Sequence, residues 1–144
     1  MIEILPFEPG DYEEAMALWQ STEGLTLRDA DSRNALLVYL GRNQRLSFVA
    51  RDHGVLVGAV LAGTDGRRGY LQHLAVAGPY RGQGLGRALA DRVVQALHEI
   101  GIEKCHLMVR RDNVAAKAFW EHLGWKLRDD IELMSHADPR AANA

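Results

Sequence analysis

The chain reads as an α+β domain: a mixed, mostly antiparallel central sheet flanked by helices on both faces, in the order β-α-α-β-β-β-α-β-α-β. Three observations carry that reading. Residues 46–76 hold three strand-like apolar segments in succession, separated only by Asp52-His53-Gly54 and by Asp65-Gly66-Arg67-Arg68-Gly69, so these strands run antiparallel. Amphipathic segments with a 3.6-residue period stand before and after them. A glycine-rich turn, Arg81-Gly82-Gln83-Gly84-Leu85-Gly86, joins the third strand to the longest helical pattern.

Taken in order, Ile2, Ile4 and Phe7 lie in a short run broken by Pro6 and ended by Pro9-Gly10, which predicts an edge strand. Asp11 caps a helix with Tyr12, Ala15, Met16 and Trp19 on one face. Ser21 to Asp31 is polar and aperiodic, a loop. A second helix runs from Asp29 or Asp31 to Leu40, with Leu36, Leu37 and Leu40 inward, and Gly41 ends it. Strands follow over Leu46–Arg51, Val55–Thr64 and Tyr70–Val76. Leu85, Leu89, Val93, Ala96, Leu97 and Ile100 then mark one helix stopped by Gly101. Lys104–Val109 is a strand, and Asp112-Asn113 caps a helix with Ala116, Phe119, Trp120 and Leu123 on one face. Gly124 ends that helix, and Trp125–Met134 returns as a last strand.

At 144 residues one domain is expected, over residues 1–135, able to bury roughly two-thirds of its unfolded surface. Residues 136–144 carry, apart from Pro139, nothing apolar larger than alanine and are expected to be a disordered tail. A net charge of −2 leaves no electrostatic footprint for a nucleic acid or an anionic membrane. No apolar run approaches 18 residues, and Glu3 and Pro6 stand where a signal peptide would be basic and then apolar. The single cysteine, Cys105, excludes an internal disulfide and suits a reducing cytoplasm, the expected location. Monomer and homodimer are both compatible with this composition.

The glycine turn carries the chemistry. Alternate glycines remove side chains and permit positive φ, so backbone amides can approach a ligand, and the helix that follows favours an anion there. A turn whose glycines serve only strand–helix packing is the competing reading. Context separates them. Leu74-Ala75-Val76, Pro79 and Arg81-x-x-Gly84-x-Gly86 closely resemble the acetyl-CoA signature of the GNAT superfamily of N-acetyltransferases. Asn113-x-x-Ala116-x-x-Phe119-Trp120-Glu121-x-Leu123-Gly124-Trp125 resembles that family's downstream motif, at a fitting distance.

The resemblance implies acetyl-CoA as co-substrate, no metal, and an unidentified amine as acceptor. In the family the third strand splays from the next parallel strand, and the pantetheine arm hydrogen-bonds in the gap like an added strand. Carried over, Leu74 and Val76 supply main-chain contacts, and the Leu74 amide also serves as oxyanion donor. Gly82, Gln83, Gly84, Leu85, Gly86 and Arg87 take the pyrophosphate. Arg81 either joins them or is a solvated arginine. Asn113 is both a helix cap and the residue whose family counterpart reaches the pantetheine amide; Trp120 and Phe119 belong to the core, with a place near the thioester the further role open to Trp120.

Two departures from the family stand out. Trp120 replaces a tyrosine that acts as general acid in many members, and an indole only donates. Met108 replaces a glutamate of some members. An acyl-CoA-binding domain with little catalysis is therefore the alternative function. Tyr70, Gln72 and Leu74 share a strand face by alternation, which makes Tyr70 a catalytic candidate and Tyr70 and Gln72 substrate-binding candidates; a tyrosine packed at a strand start is the competing role. His73 falls on the opposite face as a packed histidine. Cys105 and His106 point to opposite sides, so they form no nucleophile pair, and no metal-ligand spacing occurs. Glu23, Asp29 and Asp31 against Arg28 make the first long loop acidic, with Glu23 a candidate for attracting a cationic amine and Asp29 or Asp31 equally suited to cap the next helix. A dinucleotide site is excluded by G-x-G-x-G spacing and by the antiparallel strands that precede it.

Overall fold

The alternating segments pair as predicted in the computed structural model, which describes all 144 residues. Strands β1 (Ile2–Pro6), β2 (Phe48–Asp52), β3 (Val55–Thr64), β4 (Gly69–Val76) and β5 (Cys105–His106) lie side by side in that order. The first four run antiparallel, and β5 joins β4 in parallel. His53 and Gly54, at φ 50° and 83°, close the β2–β3 hairpin, because a two-residue loop that matches strand twist needs left-handed backbone at both positions.

Strand β3 is buried from Leu56 to Gly63, since helices cover both faces of the sheet. Helix α1 (Tyr12–Gln20) and helix α2 (Arg33–Arg42) set Ala15, Trp19 and Leu36 against Val49, Leu56, Ala59, Leu61 and Ala75. On the other face helix α3 (Leu85–Glu99) brings Leu85, Leu89, Val93 and Leu97 onto Phe48, Val57, Val60 and Leu71, with Trp120 of helix α4 (Val114–His122) beside them. Each such aliphatic side chain contributes about 1.5–3 kcal/mol by leaving water. Gly101 and Gly124, at φ 85° and 94°, follow α3 and α4 in the left-handed conformation that ends helices. No helix is long and apolar enough to cross a membrane.

Several elements depart from the sequence reading. Asp11 makes no side-chain cap; its carboxylate accepts from the Glu8 amide at 2.8 Å and from Arg51 at 2.6 Å, so it ties the start of α1 to β2 instead. Helix α2 begins at Arg33, and its cap is the Ser32 hydroxyl, which accepts from the Ala35 amide at 3.2 Å; neither Asp29 nor Asp31 has that role. The strand predicted over 104–109 contracts to Cys105–His106, and Trp125–Met134 forms no strand. A strand needs a neighbour, and two residues of β5 give no edge long enough to pair with. Leu127, Ile131 and Leu133 are accordingly exposed. The order observed is thus the predicted one up to α4. In the tail, the Asn143 carbonyl accepts from the Asp29 amide at 2.9 Å.

Helix α3 approaches β4 where Gly69 has no side chain: a Cβ there would stand 2.5 Å from Leu97 Cδ1. Leu97 is itself 1% exposed and has nowhere to turn. Gly69→Ala should therefore destabilise the fold by about 1–3 kcal/mol, read as a lower urea midpoint at unchanged slope.

Candidate active site

Strict alternation along β4 breaks at one place. Ala75 pairs with Ala59 and Gln72 with Leu61, so the single residue Val60 faces two, His73 and Leu74. The extra residue is His73, whose φ of 55° lies in the left-handed region that bulges of this kind use. Its consequence is a change of face. Tyr70 pairs with Gly63, and Gln72 with Leu61, on the α1–α2 side, whereas Leu74 packs with the α3-side cluster. The expectation that Tyr70, Gln72 and Leu74 share a face is therefore wrong, because the bulge inserts one residue between Gln72 and Leu74.

A histidine held left-handed costs about 1–3 kcal/mol and persists only where its surroundings fix it. Three contacts do so. The Trp19 indole donates to the His73 carbonyl at 2.7 Å, the ring rests 5.2 Å from the Trp19 ring, and its Nε2 meets Asp31 Oδ1 at 2.8 Å. Asp31 in turn accepts from the Arg28 amide at 2.9 Å through its other oxygen, and its carbonyl accepts from the Tyr12 hydroxyl at 2.8 Å. Burial pushes the Asp31 carboxyl up, but the His73 and Arg28 hydrogen bonds outweigh it and hold the group below its ordinary value. The side chains of His73 and Asp31 are 19% and 12% exposed. The loop from Ser21 to Asp31 is thereby fastened to the bulge. It is also seated on α4: a Cβ at Gly24 would lie 2.8 Å from Asn113 Nδ2.

On its other edge β4 is free. Parallel pairing with β5 ends at Tyr70–His106, which leaves Leu71–Val76 with no strand beside it. This open edge runs through a 3-10 turn, Gly78–Tyr80, into the glycine turn. Gly82 and Gly84 have φ 76° and 82°, and a Cβ on either would project into open space with nothing within 4 Å. That bare concavity, with the 15-residue helix α3 starting behind it, is a fitting cradle for the pyrophosphate of a coenzyme A thioester.

The remaining candidates are placed as follows. Arg81 donates through Nε to the Val76 carbonyl at 2.9 Å, and Gln83 donates to the Pro79 carbonyl at 3.1 Å, so both brace the turn; Arg87 is exposed. Leu85 is buried as the first residue of α3. At Gly86 a Cβ would come 3.1 Å from the Phe119 ring and 3.9 Å from Leu74. Here glycine serves close packing. Asn113 caps α4 by accepting from the Ala116 amide at 3.0 Å. Trp120 is buried in the core between Phe119 and Trp125, with ring centroids 5.0 and 5.1 Å away, so the half-buried Phe119 is the aromatic nearer Leu74. The Tyr70 hydroxyl lies 3.5 Å from Asp65 in the β3–β4 turn. Leu74 is four residues further along the strand, roughly 13 Å away, so the structure does not bring Tyr70 to it. Gln72 faces the α1–α2 side, and Glu23 is exposed on the loop. Burial pushes the Cys105 thiol up to about 11.

A free strand edge that ends in a bare glycine turn at a helix start suits an acyl-CoA-dependent transferase. The chain belongs to the Acetyltransferase (GNAT) family, which matches residues 12–125. It is 35% identical over 132 residues to an acetyltransferase of Yersinia pestis (strain Pestoides F), covering 92% of this chain and 93% of that one. An acetyltransferase of Sodalis glossinidius is 34% identical over 133 residues, with the same coverage of 92% and 93%. Among solved structures, the PaiA N-acetyltransferase from Thermoplasma acidophilum in complex with coenzyme A superposes with a TM-score of 0.80 at 22% identity, over 90% of this chain and 92% of that one. The ribosomal-protein-S18-alanine N-acetyltransferase from Escherichia coli gives 0.70 at 27% identity, over 86% and 77%. The protein is an N-acetyltransferase of the GNAT fold.

Asp31 has a depressed carboxyl pKa in the fold, so its stabilisation is complete above the ordinary carboxylate range near about 4 and is lost as pH falls through the lower folded value. Asp31→Asn should lower the melting temperature at pH 7 and flatten its decline between about pH 4 and 2, as followed by circular dichroism.

Proposed function

We propose that the protein transfers the acetyl group of acetyl-CoA to a primary amine of a small molecule or peptide, by direct attack through a tetrahedral intermediate. One observation carries this reading: the unpaired edge Leu71–Val76 leading into the bare turn at Gly82 and Gly84. Leu74 and Val76 would hold the pantetheine arm by main-chain hydrogen bonds, as an added strand is held. The turn from Gly82 to Arg87 would take the pyrophosphate, with Arg81 swinging from the Val76 carbonyl to share that charge. Asn113 would reach the arm from the start of α4. The acetyl thioester supplies the electrophile, and the Leu74 amide would stabilise the oxyanion formed on attack.

The leaving sulfur needs little help, because a thiol titrates near about 8.5 and departs readily as thiolate. Trp120 is buried and Met108 has no ionisable group, so neither replaces the acid or base of other members. The acceptor must be neutral to attack. An α-amine near about 7.7–8 is neutral in roughly a tenth of molecules at pH 7, whereas a lysine near about 10.4 costs about 3.5 kcal/mol more. A low-pKa amine is therefore the preferred acceptor. It would enter past the loop that carries Glu23 and Asp29 and over Gln72, where carboxylates attract its cationic form.

A panel comprising an alanyl dipeptide, spermidine, an amino sugar and a lysine-containing peptide with a blocked N-terminus tests this. Mass spectrometry should show gain of one acetyl group, fastest on the α-amine. Acetyl-CoA alone should raise the melting temperature, and Gly84→Val should abolish that shift, since its Cβ enters the cradle and its φ costs about 1–2 kcal/mol. A shift with NAD but none with acetyl-CoA would overturn the assignment.

A further inference from the structure

The transfer proposed above requires a group to take the proton of the attacking amine. We propose that the Asp31–His73 pair is that group, with His73 as proton acceptor and Asp31 as the residue that orients it; this rests on the amine-acetylation reading. Position comes first. The Leu74 nitrogen is bonded to the carbonyl carbon of His73, so covalent geometry alone keeps the imidazole within roughly 6 Å of the amide assigned to the oxyanion. Base and oxyanion donor are thus successive residues of one strand, and the amine proton reaches Nδ1 directly or through one water.

Orientation comes second. Asp31 Oδ1, 2.8 Å from Nε2, accepts the ring N–H there, so the neutral imidazole carries its proton on Nε2 and presents a free lone pair at Nδ1. The carboxylate is fixed by the Arg28 amide at 2.9 Å. It faces the ring from the turn before α2 and would stabilise the imidazolium once formed. From α1 come Trp19, whose ring lies 5.2 Å away, and Tyr12, whose hydroxyl is committed to the Asp31 carbonyl. The Arg28 guanidinium is turned away to Asn143 at 2.9 Å. No cation therefore opposes charge on the ring. Strain is the third point: packing alone does not call for a β-carbon at φ 55°, and this one is held by two hydrogen bonds.

The step balances without a further reactant. The amine nitrogen forms its bond to the thioester carbonyl carbon, and its proton passes to His73 Nδ1. The C–S bond then breaks, CoA leaves as thiolate, and the imidazolium returns the proton to the thiolate or to water. A protonated imidazole has no lone pair with which to accept, so kcat/KM should fall on the acid side.

Asparagine and glycine both tolerate left-handed backbone, so His73→Asn and His73→Gly retain the bulge while removing the base. With the amine of the panel that the wild type acetylates fastest, each should lower kcat/KM by about 100-fold or more and abolish the acid limb that His73 contributes. The loss should fall mainly on kcat, and the acetyl-CoA melting shift should persist. Added imidazole should restore His73→Gly by about tenfold. Variants that bind acetyl-CoA and keep the rate within about threefold overturn the proposal. So does a slower enzyme with an unchanged pH profile and no imidazole rescue, which would make His73 a purely structural support. Absence of transfer by the wild type to every amine overturns the amine-acetylation reading, and this proposal with it.

Discussion

One residue too many in β4 governs how this molecule is put together. Because His73 and Leu74 together face Val60, the strand changes phase in mid-course, and the segment beyond it presents Leu74 and Val76 towards α3. The left-handed histidine would relax if left alone, and much of the N-terminal third of the chain prevents that. Trp19 is fully buried, stacked on Phe7, with its indole N–H on the His73 carbonyl. Tyr12 braces Asp31, which braces the ring. Helix α1 thus serves as the clamp that stabilises a backbone conformation the strand would not otherwise keep.

The sheet separates two sets of tasks. On one face α3 and α4 supply the glycine turn, the Asn113 cap and the aromatic cluster of Phe119, Trp120 and Trp125. On the other, α1, α2 and their connecting loop supply Asp31 and the acidic side chains. The two sets meet at the open end of β4, where the loop touches the bulge through Asp31 and α4 through Gly24. A glycine is required at position 24 because φ is 83° and Asn113 leaves no room for a side chain. The loop and the start of α4 are therefore in direct contact without sharing a hydrophobic core.

What the sequence made legible was local. Hairpin turns, the strand–glycine–helix passage and the helix stops at Gly101 and Gly124 depend on neighbours a few residues away, and all appear where the residues put them. The bulge was not legible, since histidine is no signal for left-handed backbone and alternation through Tyr70, Gln72 and Leu74 looks uninterrupted. Its partners come from 42 and 54 residues away, Asp31 and Trp19, which no short-range pattern joins. Caps failed partly for the same reason: Asp11 and Asp31 each accept from the amide three residues earlier, closing a 3-10 turn ahead of the helix, and from a distant partner, Arg51 or His73. The final strand failed because an apolar alternation specifies a face, and pairing also requires an edge that β5 does not extend.

Cys105 gains a chemical significance from its place on β5, opposite Gly69 at the start of the short β4–β5 pairing. A thiolate close to an activated acyl group can capture it by thioester exchange, turning a catalyst into a covalently blocked protein. Burial pushes its pKa up to about 11, so the thiolate is scarce at pH 7. The chain's one thiol is thereby kept inert by desolvation, and its place opposite Gly69, five residues along β4 from Leu74, adds distance from the electrophile.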